Sequence, residues 1–131
     1  MAGDSMSFQI VVPDSVRVGE PVAITLRLTN TTDRPLMLNL LGRPIAFDIT
    51  VRRTDGTVVW QRLKGAVVSQ ILAVRTLQSG TSLEFKDVWR QTSTAGEPVP
   101  PGHYTVTGTL PTDSPPGLRS APVSLHIVSR H

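Results

Sequence analysis

The sequence predicts an all-β fold, an antiparallel immunoglobulin-like sandwich of about eight strands. Three observations predict it. Apolar and polar residues alternate in run after run, Gly, Pro, Asn and Asp part those runs at short intervals, and no stretch carries a convincing helical period. The whole chain of 131 residues is expected to form one domain, long enough to bury a core without disulfides or metal.

Phe8 to Val12 is a short edge-like strand, stopped by Pro13, which has no N–H to give a ladder. Val16 to Pro21 turns the chain into Val22–Asn30, with Val22, Ile24, Leu26 and Leu28 on one face and Ala23, Thr25, Arg27 and Thr29 on the other. Asn30-Thr31-Thr32-Asp33 is a turn, because Asn and Asp side chains bond local backbone. From Pro35 a further strand points Leu36, Leu38 and Leu40 inward, until Leu41-Gly42-Arg43-Pro44 breaks the pattern.

Phe47 to Trp60, FDITVRRTDGTVVW, is where alternation, turn chemistry and aromatic bulk coincide. Ile45, Phe47, Ile49 and Val51 share a face, and Asp55-Gly56 tolerates the positive φ that a tight hairpin needs. The return strand is Thr57 to Leu63, with Trp60 expected as the central core residue. Ala66 to Leu77 mixes helical and extended signals; its β-branched residues favour irregular structure followed by a strand. After the Gln78-Ser79-Gly80 turn, Leu83 to Lys86 alternates, while Val88 and Trp89 read as out of phase, predicting a bulge or strand end near Asp87. Gln91 to Pro101 is the longest polar loop. His103 to Leu110 is the cleanest strand, with Tyr104, Val106, Gly108 and Leu110 inward, and Ala121 to Val128 closes the fold with Val123, Leu125 and Ile127 inward. Pro101-Gly102-His103-Tyr104 fits a corner in which the tyrosine hydroxyl bonds upstream backbone. The expected core aromatics are Phe47, Trp60, Phe85, Trp89 and Tyr104.

Cysteine is absent, which removes disulfides, thiolate metal sites and Cys nucleophiles together and suits a reducing compartment. No apolar run reaches the roughly 18 residues of a membrane span, and the first residues lack the basic and apolar regions of a signal peptide. The expectation is a cytoplasmic protein with no membrane partner; Met6 leaves open that the first residues are not native and that a leader is missing. The net charge of +3 rests on 13 basic residues, mostly arginines, spread singly except for Arg52-Arg53. Nucleic-acid modules concentrate such charge in a patch, so no nucleic acid is expected.

Catalysis would need a nucleophile with its base, or paired carboxylates, in a pocket. The sequence has no GxSxG elbow, HExxH pair or GxxxxGK loop. His103, His126 and His131 read as surface or edge residues, and Asp48 as a carboxylate pairing with Arg27 or Arg62 across the sheet. The chain is therefore expected to be a non-enzyme with no catalytic residues, cofactor or metal.

Phe47-Asp48-Ile49-Thr50-Val51, Asp55-Gly56, Val59-Trp60, Gly65, Gln70, Leu77 with Gly80, Phe85, Trp89 and Pro101 to Gly108 together resemble the BsuPI family, the intracellular proteinase inhibitor domain. Thr29 to Thr32 followed by Pro35-Leu36 resembles the family's strand, polar turn and strand, so the likeness runs over about Val22 to Leu110. The family's more aromatic segment after the tryptophan is here Gln61-Arg62-Leu63-Lys64. The resemblance implies a sandwich that binds a protein, most specifically an inhibitor of a subtilisin-type serine protease. A non-inhibitory structural or adhesion-type module is the alternative from a different class. An inhibitory contact is expected on a loop. One candidate is Leu40 to Pro44, where Leu40 or Leu41 supplies an apolar anchor and Arg43 a basic one; the other is Glu97 to Gly102, where Pro98, Val99 and Pro100 form a stiff extended ligand.

Overall fold

A computed structural model describes residues 6–42, 45–64, 69–113 and 117–129. It holds eleven strands: β1 (Met6–Val11), β2 (Ser15–Arg17), β3 (Val22–Asn30), β4 (Leu36–Leu41), β5 (Asp48–Arg53), β6 (Val58–Gln61), β7 (Leu72–Leu77), β8 (Ser82–Trp89), β9 (Gly102–Leu110), β10 (Leu118–Arg119) and β11 (Val123–Val128). β1, β3 and β8 form one antiparallel sheet with β3 in the middle. The opposing sheet runs β2-β11-β9-β5-β6, with β10 added on β9, and β2 is parallel to β11. Two short strands, β2 and β10, have no counterpart in the sequence reading; each is three residues or fewer.

The two sheets face each other across one apolar core. Val22, Ile24 and Leu26 of β3 and Trp89 of β8 meet Ile49 and Val51 of β5, Tyr104 and Val106 of β9, and Leu125 and Ile127 of β11. Each set comes from one parity of its strand, so the period of two in the sequence maps directly onto the sandwich interior. Leu26 of β3 packs directly onto Gly108 of β9, where a Cβ would lie 2.3 Å from Cδ2 of that leucine. Only glycine leaves room for that leucine.

The β5–β6 hairpin turns at Asp55-Gly56 as predicted. Gly56 sits at φ 92° and donates its N–H to the Arg53 carbonyl, and the Asp55 carboxylate accepts the Thr57 N–H. That bond is the main reason the Asp55 carboxyl is held below its ordinary value. On the return strand, Val51 pairs with Trp60 and Arg52 with Val58, so Val59 is an extra residue bulged into the ladder. The bulge turns Val59 into the core and leaves Trp60 only half-buried, stacked at 5.9 Å on Trp89.

Trp60 is therefore not the central core residue. That place belongs to Trp89, 1% exposed, with its indole N–H on the Thr92 carbonyl and its ring edge-on to Tyr104 at 6.2 Å. The expected break near Asp87 is absent as well: β8 runs unbroken along β3 from Thr29–Ser82 to Val22–Trp89, and Leu83, Phe85, Asp87 and Trp89 share the inward parity. Asp87 can take an inward position because Arg62 meets it at 2.6 Å. Burial requires such a partner for a carboxylate.

Candidate functional site

At one end of the sandwich the β3–β8 pair does not stop but continues as the β4–β7 ribbon, the same two chain segments pairing again two residues out of step. Asn30 makes the joint. Its side chain is fully buried; Oδ1 accepts bonds from the N–H and hydroxyl of Thr32, and Nδ2 donates to the carbonyls of Arg34 and Leu77. Its main chain pairs with Gly80 and Thr81 of the facing turn. The turn-forming asparagine thus ties both strands of the ribbon at the bend.

The inner face of the ribbon rests on a leucine cluster, in which Leu38, Leu40 and Leu77 pack with Leu28 and Leu110. The outer face is apolar too. Met37 is 73% exposed, Leu72 and Val74 are about half exposed, and Ile71 beside them likewise. The two long edges differ. The β4 edge is covered by the chain after β9, through a bridge from Leu40 to Thr112, an Asp113 N–H on the Asn39 carbonyl, and the Asn39 amide on the Asp113 carboxylate at 3.1 Å. Among the described residues β7 pairs with β4 alone, so its far edge is unpaired. Gly42, Ile45 and Ile71 to Arg75 line a shallow cavity of about 170 Å³ along that side.

The Gln91–Pro101 loop at the opposite end is pinned rather than free. Gln91, the one described non-glycine residue at positive φ, buries its amide between the Arg17 and Glu20 carbonyls and the Gly19 N–H. Further along, Val99 N–H bonds the Gln91 carbonyl, Thr94 N–H bonds that of Val59, and the Tyr104 hydroxyl donates to the Pro100 carbonyl, the corner the sequence predicted. Burial of that phenol raises its pKa above the ordinary tyrosine value.

These placements sort the sequence candidates. Leu40 lies inside β4, 0% exposed, and Val99 is 5% exposed with its side chain in the core, so neither presents an anchor at the surface. Leu41 is half-buried, Pro98 and Pro100 are exposed, and Arg43 with Pro44 lies outside the described residues. The two candidate loops flank opposite ends of β9, since Pro101 precedes Gly102 while Thr112 follows Leu110 onto β4, and they do not form one surface. The apolar outer face of β7 was the feature sequence reasoning passed over; its signal was the alternation of Leu72, Val74 and Thr76 in a segment whose period was mixed.

Asp48 pairs with neither arginine. Its carboxylate accepts from the Gln61 amide, the Leu63 N–H and the Ile49 N–H, closing the end of the β5–β6 hairpin. Arg27 is bound instead to Glu84, its register partner on β8, and that contact lowers the Glu84 pKa. Arg62 bonds Asp87 and the Phe47 carbonyl, and its guanidinium lies 3.8 Å over the Phe47 ring. Phe47 in turn packs on Phe85 at 5.5 Å. In this chain the segment after the tryptophan therefore uses a charged stack between the sheets.

The BsuPI family, intracellular proteinase inhibitor, matches residues 10–115. No curated protein sequence gives a significant match. Among solved structures, the alkylpurine DNA glycosylase AlkC of Pseudomonas fluorescens, bound to DNA containing an abasic site analogue, superposes with a TM-score of 0.52 at 13% identity, over 95% of this chain and 30% of that one. The sporulation control protein Spo0M of Bacillus subtilis gives 0.52 at 12% identity, over 97% of this chain and 50% of that one. Dimeric latent PorU of Porphyromonas gingivalis gives 0.50 at 19% identity, over 95% and 10%. The chain thus spans half or less of these proteins, and at such identities the likeness is one of fold.

Proposed function

We propose that this chain, which belongs to the BsuPI family of intracellular proteinase inhibitors, inhibits a subtilisin-type serine protease through the end of the β4–β7 ribbon. The unpaired, apolar edge of β7 carries this conclusion. A cleft that binds substrate as an added strand takes affinity from main-chain hydrogen bonds and specificity from pockets for alternate side chains. Among the described residues β7 offers a main-chain edge that pairs with no further strand, its Val74 carbonyl taking a bond from the Arg75 guanidinium at 3.1 Å, with Leu72 and Val74 half exposed at alternate positions. Leu41, the register partner of Leu72, adds an apolar side chain on the same face, and Leu40 supports the ribbon from beneath. Apolar side chains of this size suit the main pocket of a subtilisin-type cleft better than a pocket that demands a basic group. The intracellular description of the family supports action in the cytoplasm, on a protease partner there.

The test is a titration of subtilisin-like and trypsin-like proteases with the purified protein, followed by two variants of unchanged melting temperature. Leu41→Ser with Leu72→Ser is expected to weaken inhibition at least tenfold, while Pro98→Ala with Pro100→Ala leaves it unchanged. The reverse outcome moves the contact to the proline loop. If the wild type inhibits none of a broad serine-protease panel, the non-inhibitory, structural or adhesion-type module takes the place of the inhibitor.

A further inference from the structure

We infer that His103 and His126 form a two-imidazole site for a divalent transition-metal ion on the outer face of the larger sheet. The two residues face each other across β9 and β11, with ring centroids 4.1 Å apart and planes inclined by 15°. The His126 N–H points away from β9, to the Asp14 carbonyl beside β2. In an antiparallel ladder that orientation makes His103–His126 a non-hydrogen-bonded pair, the kind whose side chains approach most closely. An ion held about 2.0–2.1 Å from each nitrogen in a tetrahedral arrangement sets the two nitrogens roughly 3.4 Å apart, a separation within reach of rings whose centroids lie 4.1 Å apart. The lone pairs lie in the ring planes and run nearly parallel in the stack, so both imidazoles turn about their final torsion, which is broad, to converge on one ion.

Imidazole nitrogen suits zinc, copper and nickel, and not the hard ions calcium and magnesium. Among the described residues no group of three or more potential ligands gathers. The pair is thus an open site, with water in the remaining positions, and is weaker than a structural one. Ser15 is the register partner of His126 on β2, and Arg17 follows two residues on, opposite Val128. With Arg52 opposite Thr105 on β5, and with Asp14, whose carbonyl takes the His126 N–H, these are the polar and charged groups that the flanking segments place nearest in register. This departs from the sequence expectation of no metal, which treated the histidines one at a time. Their sequence separation of 23 residues gives no local spacing signal; only the β9–β11 register brings them together.

The test is calorimetric titration of the full chain with Zn²⁺ and with Ni²⁺ at neutral pH. One ion per chain is expected, and His103→Gln or His126→Gln alone is expected to weaken it at least about tenfold, the loss of a chelating partner. Both residues lie on the solvent face of the sheet, and melting curves of the variants verify the fold; if one variant does not fold, the other decides. Wild-type affinity in the variants would place the metal elsewhere, for example at His131, and overturn the site, as would failure of the wild type to bind either ion at millimolar concentration.

Discussion

The sandwich and the β4–β7 ribbon are built from the same kind of strand and are held by different means. Between the sheets the inward faces of β3, β5, β8, β9 and β11 meet in one apolar core, and aromatic contacts run from Trp60 through Trp89 to Tyr104. The ribbon has a leucine floor on one side and solvent on the other, and its bend depends on one buried asparagine. Double coverage makes stability, whereas single coverage leaves apolar surface for a partner.

The largest effect is expected at the centre of the sandwich. Trp89→Ala should cost about 3–5 kcal/mol, the range for a fully packed large aromatic. Trp60→Ala should cost well under that. Equal losses in denaturant melts would mean that the two tryptophans share the core and that the bulge at Val59 does not matter.

Next comes the joint. Asn30→Ala removes the amide that bonds the Leu77 carbonyl at 2.8 Å and with it the anchor of the turn, so a loss of about 1–3 kcal/mol is expected. The sharper readout is amide exchange: protection should fall more in β4 and β7 than in β3 and β9. Uniform loss would show that ribbon and sandwich open as one unit.

A smaller effect belongs to Tyr104. Tyr104→Phe should cost about 0.5–1.5 kcal/mol, the net worth of the hydroxyl's bond. The pH dependence follows from the raised pKa, whose cause is burial. The folded state holds the phenol neutral more strongly than the unfolded chain does, so this contribution is complete below pH 10 and is lost as pH rises through the folded value. Because the chain has a single tyrosine, its absorbance at 295 nm reports this directly. A midpoint at or below 10 in the native protein would contradict the buried corner.

The smallest stability change is expected where the functional change is greatest. Leu72→Ser, half exposed on the ribbon's outer face, should stay within about 0.5 kcal/mol of wild type. A larger loss would mean that the outer face is covered.

The parts of the fold legible in the sequence are those where a local period decides the outcome. Val22–Asn30, the inward set Tyr104, Val106, Gly108 and Leu110, and the Asp55-Gly56 turn all stand where the sequence placed them. What failed was decided by distant partners. Asp87 looks like a break in an apolar pattern until Arg62, 25 residues away, is seen to meet it. Trp60 and Trp89 are equivalent as local signals, and only the bulge at Val59, set by how β6 pairs with β5, separates the half-buried one from the buried one. The latch at Gln91 was illegible because its acceptors are the carbonyls of Arg17 and Glu20, groups that every residue carries. The same limit applies to the site: Leu40 and Leu41 are adjacent and both apolar, and strand parity alone sends one under the ribbon and leaves the other at its surface.

The parallel pairing of β2 with β11 joins Ser15–Arg17 to His126–Val128, across nearly the full length of the chain. On a ribosome, β11 is the last of these strands to emerge, so the larger sheet cannot be completed until it does. Until then the β2 segment has no ladder to join, and the Leu125 and Ile127 side of the core stays open. Completion waits for β11, and the delay is set by closure of a long loop rather than by any local strand. The partly made sandwich, with that side of its core open, is therefore the state most exposed to aggregation and to proteolysis.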